Sequence, residues 1–378
     1  MSHRSHKTGY ARVAAAVAGA LTLSMLGCMQ AAYPRTSANA NANGESSIAG
    51  AGSFISAVSS RVLSVFESET VSLALDRIDQ RDLPLDKTYR RSGTGQGVTV
   101  YVFDGGVLSN HPELLGRVRK GYDAFPSDPA VCNAHGTAVA GAVAGKTLGV
   151  APQAEVVDVK MVECNKLRGT IQAIVDGTEW VIEDAKKHGR PAVANWSFIA
   201  DTSSHIPALD TAVRQLREAG IPVVVSAGNL DINACRVSPG NAEGAIVVGA
   251  SAIGRTRGTD GTSIVDRRAS HTAFGACVDV YAPGDSVLLP SFDASQTPSV
   301  QLWNGTSMSA GYVSGAIALL LEAAPTSTPD QALVALRSAA TMNVVQDTRS
   351  PLSWLLYVGS MRPGEDTRSV AEVRGGGR

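Results

Sequence analysis

The clearest pattern along the chain is an alternation of short β-rich runs with longer stretches of helical composition. The run Val98–Phe103 lies between Gly97 and Gly105 and is rich in Val and aromatic residues, which is typical of a strand. Similar runs predict strands at 154–162, 192–195, 222–226, 245–248 and 278–282. Helices are predicted at 135–144, 170–187, 207–219 and 307–323, and after Pro329 with Thr328 as N-cap. Because strands alternate with helices, the sequence predicts an α/β fold, with a mostly parallel sheet and helices on both faces.

Changes in composition divide the chain into four parts. Residues 1–28 have the pattern of a signal peptide. Residues 29–70 form a linker that is rich in Ala, Ser, Asn and Gly, and within it 52–70 is predicted to form a short amphipathic helix. Residues 71–345 carry the alternating pattern and are predicted to form one folded domain. Residues 346–378 are polar and end in glycines, so we expect a flexible C-terminal tail.

The N-terminal part has the features of an export signal. Residues 1–12 hold basic side chains and no acid, and 13–27 are a short apolar run. The run ends at Leu26-Gly27-Cys28, which resembles a bacterial lipobox with Met25 where Leu is usual. Cys28 is therefore either a lipid attachment site or an incidental cysteine. A lipid on Cys28 is the only membrane contact that we expect. We expect a secreted or cell-envelope protein.

The charge balance excludes some classes of function. The 378 residues include 33 basic and 34 acidic side chains, and no long block of like charge interrupts the sequence. Binding dominated by nucleic-acid phosphates is therefore not expected. A dinucleotide-binding enzyme is also disfavoured, because no G-x-G-x-x-G motif opens a helix after the first strand.

Four cysteines remain after Cys28. In an exported chain, Cys132, Cys164, Cys235 and Cys277 indicate two disulfides, for which three pairings are open. A zinc site is the alternative, but the spacings contain no C-x₂-C pair.

Four polar residues lie where a sheet of this kind carries its chemistry. Asp104 directly follows the first predicted strand, and Asn229 ends the run Pro222–Asn229, so both belong at the carboxyl edge of the sheet. His135 and Ser307 each stand at the start of a predicted helix. Taken singly, each has an ordinary structural role as a turn or cap residue, and Ser307 is by default an N-cap. Together they follow the chain order Asp, His, Ser that is typical of subtilisin.

Specific motifs carry the comparison further. They are Leu75–Leu85, Gly93–Gly97, Cys132–Thr137, Val193–Ser197, Ser226–Asn229, Phe274–Asp279 and Gly305–Met308. On these motifs the region from about 75 to 342 resembles the subtilisin-like serine proteases, and within them the proteinase K branch with its aqualysin-type enzymes. The resemblance implies a subtilisin-like three-layer fold and a serine endopeptidase that acts on polypeptides, and we expect a monomer.

The resemblance also implies roles for individual residues. Ser307 is the nucleophile, His135 the general base and acid, and Asp104 the residue that orients His135. Asn229 and the Ser307 backbone N–H form the oxyanion hole. The substrate pairs as an added strand with Ser197, Phe198 and Ile199, and Ala227 and Gly228 form the floor of the pocket for the side chain before the cleaved bond.

Two further implications concern stability. Among the three possible pairings, the resemblance selects Cys132–Cys164 and Cys235–Cys277. It also assigns Asp279 to a structural calcium site, with backbone carbonyls near Glu243 and Ala245 as the other ligands. The alternative interpretation of Asp279 is a solvated polar residue beside a strand.

The sequence departs from the family pattern close to the site. Gly105 stands where Ser or Thr is usual, Ala138 where His is usual, and Ile199 where Gly is usual, so we expect an altered substrate cleft. Gly311 also replaces the usual proline in the helix after Ser307. Exported members usually carry a folded propeptide that assists folding. Here 29–70 is either a linker, so that folding proceeds without such a helper, or a reduced propeptide. The alternative function is a weakly active or inactive pseudoprotease that binds peptides or serves as a scaffold.

Overall fold

The structure is a computed structural model that describes residues 22–24, 72–200, 205–258 and 261–359. Across these residues, no helix combines the length and the apolar character that crossing a bilayer requires. The predicted helix at 52–70 and Cys28 lie outside the described residues.

The elements follow one another in the order that the sequence pattern predicts, with additional strands. The strands are β1 Thr22–Ser24, β2 Thr99–Asp104, β3 Val118–Asp123, β4 Glu155–Lys160, β5 Val162–Glu163, β6 Arg168–Thr170, β7 Ala192–Trp196, β8 Ile199–Ala200, β9 Val223–Ser226, β10 Ile246–Gly258, β11 Gly261–Arg268, β12 Val280–Pro283, β13 Val287–Phe292 and β14 Pro298–Trp303. The helices are α1 Leu73–Ile78, α2 His135–Ala144, α3 Ile171–His188, α4 Pro207–Glu218, α5 Thr306–Ala323 and α6 Pro329–Ala339.

One large sheet organises the molecule. Its strand order is β11-β10-β9-β7-β2-β4-β3, and β12 also pairs with β10. All of these pairs are parallel except β10 with β11. One apolar core, with α2 and α5, lies on one face of the sheet, and a second core, with α3 and α4, lies on the other. The predicted three-layer α/β fold is confirmed.

Small residues let α2 and α5 pack closely. The two helices cross on the same face of the sheet, where a Cβ added to Gly311 would lie 2.9 Å from the Val139 carbonyl oxygen. A Cβ added to Gly315 would lie 3.0 Å from the Val143 carbonyl oxygen. This close approach fixes the start of α5 relative to the start of α2, and both ends carry candidate site residues.

A second, smaller sheet lies beside the carboxyl edge of the main one. Its order is β5-β6-β1-β8, and β1 runs antiparallel to both of its neighbours. Leu23 lies opposite Gly169 of β6 and Ala200 of β8, so a three-residue segment from the predicted export signal fills the space between these two edges.

Several details differ from the sequence prediction. β10 and β11 form a hairpin that extends well beyond the predicted strand at 245–248, and the β13–β14 hairpin was not predicted. The chain after 346 is not loose up to Gly359, because Leu355 and Val358 are fully buried and pair with Thr341 and Ile78. The apolar side chains of this segment give it a core to join. The helix after Pro329 does begin with Thr328, in a capping box with Gln331.

The disulfides are Cys132–Cys164 and Cys235–Cys277, which confirms the pairing implied by the resemblance. They close loops with sequence separations of 32 and 42 residues.

Candidate active site

A buried Asp–His pair stands at the carboxyl edge of the main sheet. Asp104 is the last residue of β2, and His135 is the first residue of α2. His135 Nδ1 lies 2.8 Å from Asp104 Oδ2 and 3.0 Å from Oδ1, and both side chains are almost completely buried. Because a carboxylate only accepts, Nδ1 carries the proton and Nε2 is the basic nitrogen of a neutral imidazole.

The backbone around the pair is shaped for it. The Gly105 N–H donates to Asp104 Oδ1 at 2.7 Å, which supplies a hydrogen bond to the carboxylate without the usual hydroxyl at position 105. A Cβ on Gly136 would lie 2.9 Å from Asp104 Oδ1, so the residue after His135 must be glycine for the carboxylate to fit. The His135 ring also meets the Trp303 ring edge to face, with centroids 6.3 Å apart.

Ser307 lies within the first turn of α5. The helix begins at Thr306 with Gly305 as N-cap, so the default interpretation of Ser307 as the N-cap is wrong. Gly305 takes the cap because its φ of 146° suits a residue without a side chain. The Ser307 hydroxyl lies 3.3 Å from the Ser197 carbonyl oxygen, and the Ser197 hydroxyl donates to the Ser307 carbonyl at 3.2 Å. Ser307 is thus held against the segment between β7 and β8.

Asn229 is tied to the same helix start. Its Oδ1 accepts the Thr306 N–H at 2.9 Å and the Thr306 hydroxyl at 3.0 Å. The Thr306 hydroxyl in turn accepts the Gly228 N–H at 3.1 Å. With Oδ1 engaged in this way, the Nδ2 amino group of Asn229 is oriented away from Thr306 and is the donor end of the amide.

The predicted substrate-binding residues lie in two segments that contact the start of α5, one through Ser197 and the other through Gly228. Phe198 was expected to pair with the substrate as part of a strand edge, and its ring is buried in the core, where it stacks on Trp196 with centroids 5.4 Å apart. Its hydrophobic side chain is more favourably placed in the core than at the cleft surface, so only its backbone remains a candidate contact. The Ile199 side chain instead lies against Gly228. Its Cγ2 would be 3.2 Å from a Cβ added to Gly228. Ala227 is buried beside Gly228.

Comparisons with known proteins identify the family. Residues 95–356 match the model of the subtilase family. The chain belongs to the subtilase family. It is 42% identical over 286 residues to "Extracellular serine proteinase" of Thermus sp. (strain Rt41A), and 36% identical over 285 residues to "Alkaline serine exoprotease A" of Vibrio alginolyticus. The matches cover 75% of this chain and span 65% and 49% of the lengths of these relatives.

A solved structure has the same fold. It is the crystal structure of a cold adapted subtilisin-like serine proteinase, which is 37% identical in sequence to this chain. The two structures align with a TM-score of 0.67, and the alignment covers 77% of this chain and 99% of the solved chain. The predicted resemblance to subtilisin-like proteases is therefore confirmed.

Subtilases commonly bind structural calcium, and the atoms around Asp279 decide whether a calcium ion fits there. Asp279 Oδ1 is in contact with Arg337 Nη2, and Oδ2 accepts the Val247 N–H at 2.7 Å. Burial raises the pKa of Asp279, while Arg337 and the Val247 N–H act in the opposite direction. In the described part of the chain, no group of three or more His, Cys, Asp or Glu side chains can hold a metal. This donor set does not fit a resident cation at Asp279.

Sequence analysis missed one buried carboxyl near the site. Asp158 lies opposite Val102 in the β2–β4 pairing, on the same face of the sheet as Asp104. Burial raises its pKa to about 7, and nearby Asp104 and Asp123 act in the same direction. The signal was present, because a charged residue between Val157 and Val159 is unexpected in a strand that is buried on both faces.

Proposed function

We propose that this subtilase is an exported serine endopeptidase whose nucleophile is Ser307. The observation that carries the proposal is the buried hydrogen bond between Asp104 and His135 Nδ1, which makes Nε2 the base. Ser307 lies in the first turn of a helix, where the backbone N–H groups favour a developing negative charge.

The proposed reaction proceeds through an acyl-enzyme. Ser307 Oγ attacks the carbonyl carbon of the scissile peptide bond while its proton passes to His135 Nε2. The imidazolium then donates that proton to the leaving amine nitrogen, and the carbon–nitrogen bond breaks. Water, activated by the same imidazole, hydrolyses the ester and regenerates Ser307. Asp104 keeps the imidazole in the required tautomer throughout and stabilises its charged form.

The oxyanion of the tetrahedral intermediate is proposed to bind between Asn229 Nδ2 and the Ser307 backbone N–H. The support is the orientation of the Asn229 amide, whose Oδ1 is occupied by Thr306. Donors fixed in this way stabilise the transition state without reorganising during the reaction.

The substrate is proposed to bind as an extended peptide strand between β6 and β8. The support is β1, because Thr22–Ser24 pairs antiparallel with both strands at once. Main-chain pairing of this kind provides affinity that does not depend on sequence. Selectivity would then come from the pocket floor. Ile199 lies against Gly228 and narrows the pocket, so substrates with a small side chain before the cleaved bond are favoured.

Export is proposed from the basic and apolar N-terminal pattern of residues 1–27. Two disulfides support an oxidising compartment, and one similar protein is named as extracellular. A lipid anchor on Cys28 remains part of this proposal and is tested by mass spectrometry of the processed N-terminus.

The direct test is active-site labelling of the full chain with a fluorophosphonate probe, which reacts only with an activated serine. We expect an adduct that maps to Ser307 and is absent from Ser307→Ala. The matched control is Ser309→Ala, because Ser309 lies on the same helix but donates to the Ala282 and Pro283 carbonyls. Ser309→Ala should label fully.

The opposite outcome is equally informative. If a cooperatively melting wild-type protein took up no probe, the chain would be a pseudoprotease. The altered neighbours Gly105, Ala138 and Ile199 would then explain the loss of activity.

A further inference from the structure

We propose that Arg337 replaces calcium at Asp279, so that the guanidinium and not a metal ion ties this part of the fold together. The carboxyl of Asp279 is the only acidic ligand that the resemblance assigns to the calcium site. In this structure a side chain from α6, which is 58 residues further along the chain, has taken the position of the cation.

Both carboxylate oxygens of Asp279 are already engaged. The Oδ1–Arg337 contact is an ion pair, in which the aspartate side chain is 10% exposed and the arginine side chain is 38% exposed. Oδ2 accepts the Val247 N–H. Each oxygen keeps a second lone pair, but the guanidinium charge at Oδ1 opposes another cation beside it. A Ca²⁺ ion would in addition require six to eight oxygen ligands.

A second arginine engages the loop that would supply the carbonyl ligands. Arg217 of α4 donates through Nη1 to the Gly244 carbonyl at 2.8 Å, between Glu243 and Ala245. Its Nη2 donates to Asp330 at 2.8 Å. Asp330, like Arg337, belongs to α6, so two arginines connect this helix to the loop and to the residue before β12.

The chemistry of arginine suits this role. A guanidinium stays charged at all relevant pH values and offers five donors in a fixed plane, so one side chain can satisfy a carboxylate permanently. A calcium ion does the same only while its free concentration exceeds the dissociation constant. The replacement therefore predicts stability at Asp279 that does not depend on free calcium.

The experiment measures the melting temperature of the full chain with and without calcium. All proteins carry Ser307→Ala to prevent self-digestion, and each is melted in EDTA and in millimolar CaCl₂. We compare this background with Asp279→Asn and with Arg337→Ala. The calcium-induced shift should be equal in the background and in Asp279→Asn, because no calcium binds at Asp279 in either.

Arg337→Ala should behave differently. Without its partner the carboxylate is partly buried and unpaired, so the melting temperature in EDTA should fall by about 3–6 °C. Calcium should restore part of this loss, and calorimetry should detect one calcium site more than in the background. The control is Arg214→Ala, which removes an exposed pair with Glu218 and should leave the calcium response unchanged.

The proposal is overturned if the background protein gains clearly more from calcium than Asp279→Asn does, since calcium would then displace Arg337. If Asp279→Asn fails to fold, calorimetry of the background against Arg337→Ala still decides, and equal numbers of calcium sites in the two proteins would reject the proposal. Neither readout depends on catalytic activity, so the result is independent of the proposed peptidase function.

Discussion

Asp104 and Asp279 are both buried aspartates that face a basic side chain, but their basic partners differ in type and in exposure. Asp104 pairs with His135, which is itself almost completely buried. Asp279 pairs with Arg337, whose side chain is more than one-third exposed. The first pair joins the carboxyl end of β2 to the start of α2, and the second links α6 to the residue before β12.

The identity of the basic partner decides what each pair can do. An imidazole gains and loses a proton near neutral pH, so a carboxylate beside it can tune a proton transfer. A guanidinium never releases its proton, so a carboxylate beside it can only be neutralised. A buried aspartate is thus proposed to serve catalysis at Asp104 and structural stability at Asp279.

The strongest test of this contrast is Asp104→Asn. We expect kcat to fall by about ten-thousand-fold, because asparagine cannot hold the imidazole in the tautomer that leaves Nε2 basic. The melting temperature should change little. Hydrolysis of a chromogenic peptide by Asp104→Asn and Arg337→Ala at 25 °C checks this, since Arg337→Ala should retain kcat/KM. Equal losses of activity in both variants would contradict the contrast.

Asn229→Ala tests the oxyanion hole separately from the Asp104–His135 pair. We expect kcat to fall by about a hundred- to a thousand-fold with little change in KM, which is the loss known for removal of one such donor in subtilisin itself. Asn229 also accepts from Thr306, so Asn229→Asp is the control that keeps this acceptor and removes the amino group. Rescue of activity by Asn229→Asp would argue against the proposed role.

Asp158 sharpens the comparison, because it is a buried aspartate for which no ion pair is found among the described residues. Its folded pKa of about 7 lies above the unfolded value of about 3.9, so the native state retains a proton that the unfolded chain releases. Stability should therefore fall as pH rises from about 4 to about 7.

Asp158→Asn should remove this dependence. In a Ser307→Ala background, we expect the variant to be more stable than its parent at pH 8 by about 4 kcal/mol, and equal to it below pH 4. Urea unfolding at a series of pH values measures the difference. A constant difference at all pH values would show that Asp158 does not titrate in this range.

Ile199→Gly has the smallest expected effect. Removing the side chain over Gly228 should widen the pocket and raise kcat/KM for peptides with a large residue before the cleaved bond by about tenfold. Values for peptides with Ala at that position should stay within about twofold. A matched series of peptides that differ only at this residue provides the measurement, and an unchanged ratio would show that Ile199 does not limit the pocket.

Local patterns in the chain are sufficient to predict the main elements and the position of the candidate catalytic residues. Val98–Phe103 consists of β-branched and aromatic residues and is followed directly by Asp104, which is enough to predict a strand with a carboxyl at its end. Thr328 and Pro329 are enough to predict where α6 begins. These signals are local, because propensity and capping depend on residues within about one turn or one strand.

Tertiary structure decided what local patterns do not encode. The direction of Phe198 depends on Trp196 and the core behind it, and the partner of Asp279 comes from a helix 58 residues away. Burial and ion pairing are set by packing between distant segments, and one-dimensional spacing carries no record of that packing. The motif around Asp279 thus indicated a metal ligand, whereas the folded chain brings Arg337 to it.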